Sequence, residues 1–532
     1  MHRFKQLMDT PKFLNTFKDV CIKSQSFPEN PKLKSLIENY KENYLVYNQE
    51  LACLAAVTFW SKKAKIQDQG LWKVLKEETQ QKADQMNSKS LVNSAYGFSE
   101  TELEGYIAEK AINSINKLDP RAVSSLALSL KNTRFPKFLV EQKKLDCTNE
   151  FDVLWFTKAF NDPECLRILE EQLVKVLPAA TNTQALCNTM YELSVKDYYP
   201  KDSTIKMLSD KVLEESLNFE LKDMNHLLKA FNHKTLYGRV ESSFWKKFEA
   251  RIESLIDKAP VAIVMSYLAR NEFYSQSLFS KLIKNWKSRV EFTKNQKVFR
   301  EGFVALAKTP FFTQDLLNWS FPYISELLPF FSAYDSMHIL QALVILSSYD
   351  RNIWIPLIDN VVNNLYSELT PEEKCILYHV HQAIDIDRPP FYLEVLEKIQ
   401  PFLEELSSCF ESMKTRTLST SEEKLGIMLR EMGFTVVNNS YIHGVYEVDY
   451  LVPEKGVVVE LLGWPFHISQ TTGAIQPKFY MKQNHLKKLG WHVLVVADIK
   501  NGTNLIQEAF QVFESASSPS AIHIVQDQLR VT

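Results

Sequence analysis

Apolar residues recur at helical spacing from about Asp119 to Ile384, interrupted by short polar breaks that often contain Pro, Asn or Asp. Apolar cores begin at positions 122 ("AVSSLALSL"), 151 ("FDVLWFTKAF"), 183 ("TQALCNTMYELS"), 223 ("DMNHLLKAFNH"), 260 ("PVAIVMSYLAR"), 298 ("VFREGFVALAK"), 336 ("SMHILQALVILSS") and 372 ("EEKCILYHVHQAI"). The starts step by roughly 30 to 40 residues. A second helical stretch follows each core, such as "SLFSKLIKNWKSRV" from Ser277 and "WIPLIDNVVNNLY" from Trp354. One helix pair cannot cover its own apolar face and must stack on the next, so residues 119–412 are predicted to form an α-solenoid-like array. Identity between the units is weak, which leaves an irregular helical domain as the alternative. Residues 1–118 also carry helical patterns, strongest in "ENYLVYNQELACLAAVTFWSKKAK" from Glu42. Ser99 precedes Glu102 by three positions, the spacing of a capping box at a helix start.

The period changes after the array. Residues 413–420 are polar and read as a linker, and "SEEKLGIMLREMGF" predicts a helix. Two strand-like runs follow, "VYEVDYLV" and "VVVELLG", joined by "PEKG". A helix over roughly Pro477 to Leu489 then leads to the strand "HVLVV". A helix-length crossover between strands implies a parallel pair with a right-handed connection. Residues 421–515 are therefore expected to form a small α/β domain, with 516–532 a tail or an extra strand. The fold class expected is mostly α, ending in this α/β domain.

Composition narrows the function classes. A chain of 532 residues accommodates about two to four structural units. With 45 % apolar and 24 % charged residues, and only 13 glycines, most of it should be folded. The longest apolar windows are roughly 11 residues, short of the ~20 that cross a bilayer, so no membrane insertion is expected. The seven cysteines lie far apart without a C-x-x-C pair, which argues against a zinc knuckle or a disulfide framework. A formal charge of -2 argues against a globally basic coat but leaves room for a local one. The first twenty residues hold four basic side chains, yet Asp9 and Asp19 intrude and serine is absent, so no transit peptide is evident.

The candidate chemistry lies in the α/β domain. If "PEKG" is a turn, Val452 faces Val457, and counting back sets Asp449 opposite Glu460. Two carboxylates across a ladder repel and call for a cation, a shared proton or a basic neighbour. Such a pair can hold Mg²⁺ in metal-dependent nucleases. The blander readings are two solvated carboxylates or a salt bridge to a lysine of the following helix. From Leu461 to Ala497 there is no acidic residue, while lysines, histidines and aromatics accumulate. Lysines contact phosphates and exposed aromatics stack on bases, so the stretch suits single-stranded RNA. The candidate contacts are Lys478, Lys482 and His485 on the helix, with Trp464 and His467 on the loop before it. Phe479 and Trp491 are expected in the core instead.

These residues resemble a known family, the RAP domain, whose name abbreviates an RNA-binding domain abundant in Apicomplexans. The resemblance runs over about 90 residues from Ser421 and rests on Asp449, Glu460, Gly463, Pro465, His467, Lys482, Leu486, Gly490 and Trp491 in that order. Family members carry the domain behind degenerate helical repeats and act on organellar RNA, which implies a mitochondrial matrix location. The domain is similar in plan to PD-(D/E)XK endonucleases. Such an active site would want a lysine where Leu462 stands, and the family helix often has Arg where Asn484 stands. The resemblance therefore implies a non-catalytic protein that binds organellar rRNA or mRNA, with ribosomal proteins as further partners and no cofactor. One alternative is a metal-dependent endonuclease using Asp449 and Glu460 with Mg²⁺, Lys478 or Lys482 replacing the missing lysine. Another is a scaffold subunit of a large organellar assembly.

Overall fold

The computed structural model describes residues 10–24, 30–142, 144–215, 220–231, 233, 235–236, 239–240, 242–271, 273–413, 420–461, 476–496, 502–516, 518–525 and 528–531. The chain is mostly helical and ends in a small mixed sheet. It divides into two compact units, Met1–Val240 and Glu241–Thr532, so the division falls inside the helical region.

Each apolar core of the sequence forms a helix, and the polar breaks supply the caps. Asp119 accepts the Ala122 N–H at 2.8 Å, Asn182 that of Ala185 at 2.8 Å and Asn295 that of Val298 at 3.1 Å. Each such cap stabilises its helix by about 1 kcal/mol. Full capping boxes occur at Ser332 with Asp335 and at Thr370 with Glu373. The pair expected at Ser99 and Glu102 forms none. Ser99 follows the Ser88–Phe98 helix and its hydroxyl donates back to the Tyr96 carbonyl, while Glu102 pairs with Lys76. The next helix starts only at Glu104, whose carboxylate accepts the Glu100 N–H. The strong segment from Glu42 is also two helices, Pro31–Tyr47 and Leu51–Lys63. They part at buried Asn48, which accepts the Tyr40 hydroxyl at 2.7 Å.

Alternate helices pack on one another. In the first unit, Pro120–Ser129 lies on Glu150–Ala159, then on Thr183–Val195, then on Leu221–Phe231. In the second unit, Val261–Arg270, Gln296–Ala307, Ala333–Ile345, Pro371–Asp387 and Leu403–Ser412 succeed one another in the same way. The intervening helices form a second row, as Gln314–Leu327, Arg351–Asp359 and Tyr392–Ile399 do.

The sheet belongs to the second unit and its strands lie in chain order. They are β1 (Val437–Ile442), β2 (Tyr446–Val452), β3 (Val457–Leu461), β4 (His492–Val496), β5 (Ala521–Val525) and β6 (Gln528–Val531). The expected parallel pair is β3 and β4, with the Pro477–Lys488 helix in the connection. β1 to β3 form an antiparallel meander, β4 and β5 are parallel, and β5 and β6 are antiparallel. β5 and β6 thus continue the sheet where a tail or an extra strand was expected. β3 is buried along its whole length, as a continuous Val run in a central strand requires. One face is covered by the helices Thr420–Glu431 and Gly502–Ser515 through Leu425, Leu429, Ile506, Phe510 and Phe513. Gly426 permits that contact, because a Cβ there would run into the Tyr450 ring. Gly456 turns the chain into β3 at φ 63°, a conformation that suits glycine.

Candidate functional site

Val452 pairs with Val457 and Tyr450 with Val459, which sets Asp449 and Glu460 next along the same ladder. Both carboxylates are buried, and each already has a use. Asp449 accepts the N–H of Leu461 at 2.7 Å, fastening the end of β3. Glu460 meets Lys482 Nζ at 2.5 Å. The lysine therefore comes from the helix that crosses over from β3 to β4, and it leaves only 18 % of its side chain exposed. A buried carboxylate without such a partner would be strongly destabilising. Among the described residues no three His, Cys, Asp or Glu side chains converge as a metal-binding set. As arranged, Asp449 accepts a backbone amide and Glu460 meets an ammonium.

His485, one turn further along the same helix, is 1 % exposed. Its Nδ1 meets the Tyr446 hydroxyl, and its Nε2 lies 3.1 Å from Asp387, the last residue of the Pro371–Asp387 helix. Its two ring nitrogens thus bridge β2 and the Pro371–Asp387 helix. Asp387 also takes Lys488 at 2.5 Å and the Tyr349 hydroxyl. Burial alone would raise the pKa of Asp387, but hydrogen bonds from His485, Lys488 and Tyr349 outweigh it and hold the carboxyl below its usual range. A second aspartate of that helix, Asp385, lies 3.0 Å from His443 in the β1–β2 turn. These contacts dock the sheet domain on the last helices of the second unit. They also assign His485 to packing, facing away from solvent.

Lys478 is different on every count. It is the second residue of the Pro477–Lys488 helix, where the macrodipole is positive and a cation is disfavoured. Gln476, at the N-cap, makes no side-chain cap hydrogen bond. Among the described residues Lys478 has no acidic partner. Its ammonium reaches solvent, yet protein surrounds it: burial, then the Lys482 charge, lower its pKa. Two further cations, with no ion pair among the described residues, stand near in charge terms, Lys308 and Arg270, each at the end of a helix. Burial, Arg270 and Lys478 together push the Lys308 pKa down to about 8. Lys308 and Arg270 are partly balanced by the negative helix C-termini they occupy, whereas Lys478 has no such compensation.

Lys478 opens into a cavity of about 450 Å³ between the helical region and the sheet domain of the second unit. Its walls are His379 and Phe410 from the array, Val445, Tyr446 and Glu447 around the start of β2, and Gln476, Lys478, Phe479, Met481 and Lys482 from the helix. His379 Nδ1 is buried without a hydrogen-bond partner among the described residues, and burial, Lys478 and His485 push its pKa down to about 3. Nearly all of these walls were invisible as a set in the sequence. The one local signal was the Pro477-Lys478 dipeptide, which sets a lysine at the wrong end of a helix.

Of the sequence candidates, Asp449, Glu460, Lys478, Lys482 and His485 are thus brought into one half of the second unit. Trp464 and His467, with Leu462, lie outside the described residues, as does most of the expected 413–420 linker. Phe479 is buried and Trp491 half-buried. No described helix is long and apolar enough to cross a membrane. A scan against protein-family models and a search of curated proteins each found no match.

Proposed function

We propose that this chain is a non-catalytic RNA-binding protein of the RAP-domain kind, acting on rRNA or mRNA in the mitochondrial matrix. Lys478 carries the reading. A solvent-reaching ammonium that no carboxylate pairs with among the described residues, at a positive helix end and beside other cations, is free to take an anion, and a backbone phosphate is such an anion. The alternate stacking of helices supports an α-solenoid as the extended surface. The carboxylates at the end of β3 support an endonuclease-like plan for the sheet domain. Hydrolysis is the second reading, since Lys482 stands beside Glu460 where that alternative needs a lysine, while Leu462 occupies the usual lysine position.

The test is a salt titration of single-stranded RNA binding to the full chain. Lys478→Gln should weaken binding to every sequence and reduce the slope of log K against log salt by about one. Absence of salt-dependent RNA binding by the wild-type chain would overturn the reading. Mg²⁺-dependent cleavage that is lost in Glu460→Gln would replace it with the nuclease.

A further inference from the structure

The cavity beside Lys478 is larger than a phosphate alone needs. At about 450 Å³ it lies within the roughly 300–1,000 Å³ range of small-molecule sites. Its chemistry is divided. At one end stand Lys478 and the first backbone N–H groups of the Pro477–Lys488 helix, which carries no side-chain cap. These are complementary to a phosphate. The other walls include the half-buried ring of Phe410 and the imidazole of His379, held neutral by its surroundings, with buried Tyr446 packed behind His379. Flat rings of this kind accept the face of a base. Glu447 and Gln476 add a carboxylate and an amide. A carboxylate is unsuited to a second phosphate but accepts hydrogen bonds from ribose hydroxyls, as acidic residues do in dinucleotide sites.

We propose that this cavity holds a single ribonucleotide, its phosphate on Lys478 and the helix N-terminus, its ribose toward Glu447, and its base against Phe410. The proposal deepens the RNA-binding reading and rests on it for the source of the nucleotide. The site is composite, because Phe410 and His379 come from the helical array and the phosphate end comes from the sheet domain. The array does more than support the domain: it supplies one wall of the pocket.

The same ligand chemistry could arrive as a free nucleoside monophosphate or as one residue of an RNA chain, and an experiment separates them. AMP, UMP, dAMP and inorganic phosphate are titrated into the full chain by calorimetry, alone and in competition with a single-stranded RNA. AMP or UMP should bind saturably, more tightly than dAMP and phosphate, and should displace the RNA. Lys478→Gln should weaken nucleotide binding by about tenfold or more, the worth of one charge-assisted contact. Phe410→Ala should weaken AMP while leaving inorganic phosphate unchanged. Among the described residues Lys478 has no ion pair to lose, so its variant should keep the fold and the test stays readable if Phe410→Ala unfolds. If nucleotides fail to bind or compete while salt-dependent RNA binding persists, the pocket is overturned and the RNA reading survives. If AMP binds through Lys478 but RNA does not, the pocket stands as a free-nucleotide site and the RNA reading falls.

Discussion

Two lysines one helical turn apart, Lys478 and Lys482, face two different environments of the same domain. Lys482 points at the end of β3, where Glu460 was buried by the strand and needed a counter-charge. Lys478 points into the cavity, where no acid meets it among the described residues. The first region is electrically closed and the second open. An ion pair that the protein completes by itself is structural, whereas a charge left incomplete reserves its binding capacity for something outside the chain. Residue type and spacing are the same in both cases, so the difference lies entirely in what the fold sets opposite each ammonium.

The largest effect that bears on this contrast should come from Asp387, because the open region exists only while the sheet domain stays docked. Asp387→Ala strands buried His485 and removes the acceptor of Lys488 and Tyr349, and should destabilise the second unit by about 3–5 kcal/mol in urea unfolding. Unchanged stability would mean that the docking contacts are incidental.

Lys482 and Lys478 can then be set directly against each other. Lys482→Met takes the ammonium away from buried Glu460 and should destabilise by roughly 2–3 kcal/mol, with Glu460→Gln in the same chain recovering most of the loss. Lys478→Met removes an unfavourable charge and should be neutral or slightly stabilising, while weakening RNA binding. The reverse ranking in urea unfolding would break the comparison.

The smallest effect is a pH dependence. Lys308 titrates at about 8 in the folded chain, below the ordinary lysine value. Between about 8 and 10.5 the unfolded chain binds more protons at this site than the folded one, so its penalty is full below 8 and fades as pH rises. Lys308→Met should therefore be the more stable protein at pH 7 by roughly 1–2 kcal/mol and lose that advantage by pH 10.5, as followed by unfolding across the range. A bound phosphate should raise the Lys308 pKa and shrink the difference.

Much of the architecture was legible locally. The eight apolar cores are the helices that stack on their alternate neighbours, and the polar breaks between them hold the caps. β2, β3 and β4 fell where alternation and apolar runs indicated, and the Val452–Val457 register followed from the turn. The capping box at Ser99 failed because two side chains three residues apart cap only if a helix begins between them. Among the site residues, the pairing of Asp449 with Glu460 was readable from a two-residue period, but the lysine that closes it was one of several candidates.

The sequence by itself determined which segments are helices and strands, which faces are apolar, and that an acid-free run of lysines and aromatics follows β3. These depend on periodicity and on contacts a few residues apart. Tertiary structure alone decided which lysine is paired, why His485 is buried, and that Phe410, Tyr446 and Lys478 share a cavity. His485 and Asp387 are 98 residues apart in the chain, and no local pattern encodes a contact at that separation. Electrostatic fate is set by the nearest opposite charge and the water excluded around it, and both exist only once the chain has folded.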